Sequence, residues 1–221
     1  MSCSLFRLLG ISLVGTSLAC NSATAAVAIP NPLIDAPLAT TKSVQTAVIA
    51  GGCFWGIEAV FEHVKGVTGV TSGYSGGAAD TANYEMVSGG NTGHAESVRI
   101  NYDPSQISYG LLLKVFFAVA HDPTELNRQG PDIGTHYRSA IFYANEEQKR
   151  IAEAYIAQIN KAKVLERPVA TKVVALNAFY EAEAYHQDYA KHHPDQPYIV
   201  IHDLPKVANL RKQIPELYIQ R

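Results

Sequence analysis

The sequence predicts a single α/β domain built on a mixed β-sheet, and three observations carry that prediction. Short apolar or β-branched runs recur at residues 47–50, 67–74, 96–102, 137–143 and 169–175. Between them lie stretches with apolar residues at three- and four-residue spacing, such as Phe54, Ile57, Phe61 and Val64, or Ile151, Ala154, Tyr155 and Ile159. Strand and helix signals intermix without a strict βαβ rhythm, which argues for a mixed sheet over a wholly parallel one.

Taken in order, the run 47–50 is continuously apolar and is followed by glycine, the pattern of a strand buried on both faces. A helix of about three turns follows from Phe54, with Gly66 placed to end it. Residues 67–74 read as a strand stopped by Ser75-Gly76-Gly77, and residues 78–93 as an irregular loop carrying Tyr84. In 96–102, Glu96, Val98, Ile100 and Tyr102 share one face of a half-buried strand. Residues 111–120 are almost wholly apolar and predict a buried helix that stops near His121-Asp122-Pro123. A polar loop over 124–136 leads to the strand 137–143, and Asn145 with Gln148 marks the start of the next helix. After the strand 169–175, a helix is expected over 181–191, then a proline-punctuated tail with a short helix near 206–213.

Four segments are expected. The first, residues 1–25, has Arg7 as its single charge and an apolar run too short to span a bilayer, and it reads as a secretory signal cleaved after Ala25. Export to the periplasm is the expectation, with a lipoprotein anchored through Cys20 as the alternative. Residues 26–45, with Pro30, Pro32 and Pro37, read as a linker. The catalytic domain occupies 46–200, and residues 201–221 form a tail without cysteine. Of the 3 cysteines, Cys3 and Cys20 fall in the signal segment, which leaves Cys53 as the thiol of the folded part. A net charge of −2 argues against a nucleic-acid partner.

The most unusual stretch is Gly51-Gly52-Cys53-Phe54-Trp55-Gly56, a thiol between a strand and a helix. The unpaired N–H groups and positive end of a helix favour the thiolate there, so Cys53 is a candidate nucleophile. The competing reading is a small buried hydrophobe.

Four further blocks are distinctive: Gly73-Tyr74-Ser75-Gly76-Gly77, Gly93-His94-Ala95-Glu96, residues 130–139 with Asp132 and Tyr137, and Glu183-Ala184-Tyr185-His186-Gln187. Together with the Cys53 block and Tyr84, they resemble the A-type peptide methionine sulfoxide reductases from about Val48 to His192. The resemblance implies an α+β roll with a ferredoxin-like core, helices on the sheet, long irregular loops and an extended C-terminal tail. It implies Cys53 as the catalytic cysteine, with Phe54 and Trp55 as the apolar wall for the substrate methyl group. It further implies Glu96 as proton donor, Tyr84 and Tyr137 as hydroxyl donors to the sulfoxide oxygen, and Asp132 as the acid supporting the pocket. His186 lies in a substrate-binding block but has no chemical role assigned.

The chemistry is consistent with those roles. A sulfoxide sulfur is electrophilic but its oxygen leaves poorly, so thiol attack needs a proton donor and hydrogen bonds aimed at the oxygen. At about 5 Å and an effective dielectric of 20, anionic Cys53 and Glu96 would repel by about 3 kcal/mol, so the pair is expected to hold about one proton. The implied reaction converts methionine-S-sulfoxide, in proteins or free, to methionine and leaves a sulfenic acid on Cys53. Many members of the family carry a resolving cysteine near the C-terminus. Residues 201–221 have none, so the expected reductant is an external thiol: thioredoxin, glutaredoxin or a small molecule. No bound cofactor or metal is implied, and the chain is expected to act as a monomer.

Rival readings remain open at this level. A cysteine hydrolase would use His94 or His186 as base. A metal site could draw on His94, His121, His136, His186, His192 and His193, without diagnostic spacing. A binding module for oxidised methionine would need an inert Cys53.

Overall fold

The computed structural model describes residues 28–221. The signal segment, its cleavage site and Cys20 lie outside the described residues.

The core follows from a βαββαβ run. Strand β1 (Gln45–Ala50) enters helix α1 (Phe54–Glu62), which returns the chain to β2 (Val67–Ser75) and then β3 (Ala95–Tyr102). Helix α3 (Tyr109–Val115), preceded by the one-turn α2 (Tyr84–Val87), leads on to β6 (Ala140–Tyr143). Between them, β4 (Arg128–Gln129) and β5 (Asp132–Ile133) form a separate two-stranded hairpin. These core strands lie in the order β6-β1-β3-β2 with antiparallel neighbours, the ferredoxin-like arrangement. Helix α4 (Glu146–Ala162) returns the chain so that β7 (Lys172–Ala175) pairs parallel with β6, and β8 (Phe179–Glu181) pairs with β2. One parallel pair among antiparallel ones makes the six-stranded sheet mixed, as predicted.

The strand pattern of β1 explains how the sheet is covered. Ala47 and Ile49 enter the main core with Ile57, Phe61, Val98 and Ile100, whereas Val48 and Ala50 join a smaller cluster with Ala95 and Phe142 on the other face. A strand that must bury both faces cannot alternate polar and apolar residues. Glu96 projects to the same side as Val98 and Ile100, so its carboxyl is delivered to the buried face under α1.

Several elements differ from expectation. The helix predicted over 181–191 is absent; its first residue belongs to β8, which covers the open edge of β2, and a 3-10 turn at Ala184–His186 precedes the short helix α5 (Tyr189–His192). Backbone groups on an otherwise unpaired edge favour a strand there over local helical periodicity. The predicted loop 78–93 contains α2, whose N-terminus is capped by the Asn83 side chain accepting from Met86 N–H at 3.1 Å. The strand predicted from residue 137 begins at Ala140, because Thr135–Tyr137 forms a 3-10 turn. Helix α1 stops at Glu62, before Gly66.

Both flanking segments are docked. Ile29 is buried in the main core, Pro30 accepts the Tyr155 hydroxyl at 2.6 Å, and Asp35 accepts from Gly110 N–H at 2.7 Å at the start of α3. The proline-containing stretch expected as a linker is therefore packed along the body. The tail folds back through a π-helical turn at Ile199–Asp203 and helix α6 (Leu204–Gln213), burying Leu210, Ile214 and Leu217. The short helix expected near 206–213 is α6, and it packs against α1.

Candidate active site

Cys53 occupies the N-cap position of α1 and is 8% exposed. The bend that places it there needs Gly52, whose φ of +97° is disfavoured for other residues and whose missing Cβ would lie 2.6 Å from the Gln129 side chain. Phe54, next in the chain, donates its backbone N–H to Glu96 Oε2 at 3.1 Å. One helix start thus supplies the thiol and fixes the carboxyl.

Burial dominates the electrostatics. It pushes the Cys53 thiol well above its ordinary value, with Glu96 and Asp203 adding in the same direction against the Trp55 N–H and Lys206. Burial also raises Glu96 to about 8, opposed by the Phe54 N–H. The expectation of one shared proton therefore changes: at neutral pH each group keeps its own. The helix start that would favour thiolate is outweighed by desolvation.

Aromatic side chains wall the site. Trp55 is half-buried, stacks on Tyr189 at 3.8 Å between ring centroids, and donates Nε1–H to His186 Nδ1 at 3.2 Å. Because Nδ1 accepts, neutral His186 carries its proton on Nε2, and burial lowers its affinity for a second one. The His186 ring lies 4.9 Å from Phe54 and 4.8 Å from Tyr84. Its place is therefore between the apolar wall and Tyr84, holding the indole. Tyr84 itself is positioned by Glu183, which accepts from Tyr84 N–H at 2.9 Å and from the Tyr74 hydroxyl at 2.8 Å. Tyr137, at the end of its 3-10 turn, is half-buried; burial first, then the negative charges of Glu96 and Asp132, push its phenol far up, so it remains a donor.

Asp132, on β5, accepts the Tyr198 hydroxyl. That contact ties the hairpin to the C-terminal segment beside a cleft of about 400 Å³ whose walls include Cys53, Gln129, Asp132, Tyr198 and Lys206. Lys206 Nζ donates to Asp203 Oδ1 at 3.1 Å, and Asp203 is fully buried against α1.

The family model for peptide methionine sulfoxide reductase matches residues 45–217. The chain belongs to the peptide methionine sulfoxide reductase family. It is 57% identical over 177 residues to the peptide methionine sulfoxide reductase MsrA 2 of Mesorhizobium japonicum, covering 80% of this chain and 91% of that one. With the Synechocystis MsrA 2 it shares 54% over 187 residues, covering 84% and 87%. Among solved structures it is similar to reduced Mxr1 from Saccharomyces cerevisiae, with a TM-score of 0.59, 30% identity, and coverage of 71% of this chain and 92% of that chain. Methionine sulfoxide reductase A of Corynebacterium diphtheriae gives a TM-score of 0.58 at 32% identity, with coverage of 83% and 92%. The protein is thus an oxidoreductase that reduces methionine sulfoxide.

In this reductase the residues expected from the sequence are linked to the Cys53 end of α1: Glu96 through Phe54 N–H, His186 through Trp55 and Phe54, Tyr84 through His186, and Asp132 through the cleft that Cys53 also lines. His94, the candidate hydrolase base, is engaged elsewhere: its Nδ1 accepts from Gly77 N–H at 3.2 Å and its Nε2 donates to Ala78 O at 2.9 Å. Sequence reasoning missed Glu183 as an anchor, along with Tyr189, Tyr198, Asp203 and Lys206. The spacing of Tyr198, His202 and Lys206, four residues apart each time, was the available signal that one helical face of the tail meets the site.

Proposed function

We propose that the reductase acts on methionine-S-sulfoxide, in proteins and free, with Cys53 as nucleophile and Glu96 as proton donor. The observation that carries this reading is the hydrogen bond from Phe54 N–H to Glu96, which holds a buried, protonated carboxyl next to the residue bearing the thiol.

The Cys53 sulfur attacks the sulfoxide sulfur while Glu96 gives its proton to the sulfoxide oxygen and recovers the thiol proton in exchange. The oxygen then passes to the Cys53 sulfur. Methionine leaves reduced, and Cys53 is oxidised to a sulfenic acid. The tyrosine hydroxyls of Tyr84 and Tyr137 stabilise the developing charge on oxygen, and Asp132 supports the pocket through Tyr198. Phe54 and Trp55, oriented by His186, receive the methyl group, and a pocket with donors on one side and an apolar wall on the other selects one epimer. An external thiol, from thioredoxin, glutaredoxin or a small molecule, reduces the sulfenic acid, because the described chain holds Cys53 as its free cysteine and the tail has none. The N-terminal sequence supports export, with a Cys20 lipid anchor as the alternative route to the same compartment.

Thiol-dependent reduction of both methionine sulfoxide epimers by the wild type and by Cys53→Ser tests the reading. Turnover of the S epimer that Cys53→Ser abolishes is expected; reduction of the R epimer alone, or an active Cys53→Ser protein, would overturn it.

A further inference from the structure

We infer that Arg138 is a positioning residue for the reduction step: its guanidinium clamps the turn that carries Tyr137 to the start of β3, which carries Glu96, and so fixes the spacing of two groups that act on the sulfoxide oxygen. This rests on the proposed function, in which Glu96 protonates that oxygen and the Tyr137 hydroxyl donates to it.

The two groups arrive by unequal routes. Glu96 is held by the sheet: it pairs with Tyr74 of β2, and its carboxyl takes the Phe54 N–H. Tyr137 lies outside the sheet. It ends the 3-10 turn Thr135–Tyr137, and β6 begins only at Ala140. Within the turn, Tyr137 N–H donates to Gly134 O at 3.1 Å, a local bond that shapes the turn without placing it against β3. A hydroxyl donor acts on a reacting oxygen only when held to within about 0.5 Å of the productive geometry, so the turn must be fixed as a body.

Arg138 supplies that fixation. Its Nη1 donates to His94 O and to Thr135 O, each at 2.9 Å, and its Nη2 donates to Gly93 O at 2.8 Å. One planar group thereby bonds its own turn and the strand entry just before Glu96. All three acceptors are backbone carbonyls, so the clamp sets the path of the chain and not the rotamer of a side chain. The half-buried guanidinium lies over Gly76, where an added Cβ would come within 2.7 Å of Nη2, so the glycine that follows β2 leaves room for it. A lysine ammonium is a compact donor on a flexible stem and does not reproduce a rigid fork across two segments. After burial, the Glu96 charge is the largest influence raising the Tyr137 phenol, as fits two groups that act on one oxygen. The apolar wall is held separately, since Phe54 and Trp55 belong to α1 and His186 accepts from the indole.

Single-turnover kinetics on the full chain test the clamp. Reduced protein mixed with S-sulfoxide and no reductant should release a burst of methionine stoichiometric with Cys53. At saturating sulfoxide, Arg138→Lys should slow the burst by roughly 10–100-fold, the effect of misplacing a reacting group. The sulfoxide concentration for half-maximal rate should move by less than about threefold, because the methyl-binding wall is untouched. Made in a Tyr137→Phe background, the same substitution should slow the burst by less than about threefold further, since the hydroxyl it places is already gone. Millimolar methylguanidinium should recover part of the lost rate in Arg138→Ala, and none when Arg138→Ala is combined with Tyr137→Phe. Equal slowing by Arg138→Lys in both backgrounds, the result of a merely structural role, would overturn the inference, as would an Arg138→Lys burst at the wild-type rate. A wild type without a burst, or a Tyr137→Phe burst at the wild-type rate, would instead refute the reading of the site on which it rests.

Discussion

The backbone N–H of Phe54 donates to Glu96 Oε2 at 3.1 Å, joining the first turn of α1 to the start of β3. The bond leaves the carboxyl the other oxygen for a proton, and burial keeps that proton on at neutral pH. Replacement of Glu96 by Gln preserves an acceptor for Phe54 but cannot pass a proton. The methionine burst of Glu96→Gln should be slower by roughly 10²–10⁴-fold, measured by rapid quench. In the wild type, the burst rate attributable to the protonated carboxyl should fall as pH rises through about 8, and this inflection should be missing from Glu96→Gln.

Glu58 offers a stability test. It is buried on α1, accepts from Asp188 N–H at 3.1 Å, and is raised by burial to about 8. Between about 4.5 and about 8 the unfolded chain has lost this proton while the folded chain retains it, so stability falls as pH rises through that window. Glu96 acts in the same direction. His121, lowered by burial to about 4, opposes it only below its ordinary value of 6.5. Urea unfolding should therefore show declining stability from pH 6.5 to 8.5, and Glu58→Gln should flatten that decline by on the order of 1–3 kcal/mol.

His186 holds the Trp55 indole through Nδ1 at 3.2 Å. His186→Phe preserves a ring against Phe54 but removes the acceptor. A loss of about 1–3 kcal/mol in stability is expected from the unpaired N–H. The freed indole should also raise KM for the sulfoxide more than it lowers kcat, read from steady-state kinetics on the S epimer.

Asp35 joins the N-terminal stretch to α3, accepting from Gly110 N–H at 2.7 Å and from the Ser108 hydroxyl at 2.5 Å. Asp35→Ala should cost about 1–2 kcal/mol in chemical denaturation, as loss of a helix-start acceptor does. An unchanged midpoint would show that this stretch contributes nothing to the body.

The parts of this protein legible in its residues are those governed by local pattern. β1, β3 and α4 announced themselves by apolar periodicity and by Asn145, whose side chain accepts from Gln148 N–H at 2.9 Å. Residues 181–191 were misleading because helix propensity is a property of the segment, whereas the open edge of β2 that claimed Glu181 is a property of the whole sheet.

The sequence by itself determined the mixed α/β class and a thiol at the start of a helix, since each depends on side-chain period or on residues adjacent in the chain, whereas the ferredoxin-like core was implied by the resemblance of its motifs to a family. Tertiary structure alone decided the protonation of that thiol, the bond that binds Glu96 to α1, the hold of His186 on Trp55 and the approach of Asp203 and Lys206. These arise between residues far apart in the chain, where burial removes water from charges. At Cys53 that desolvation outweighs the helix end.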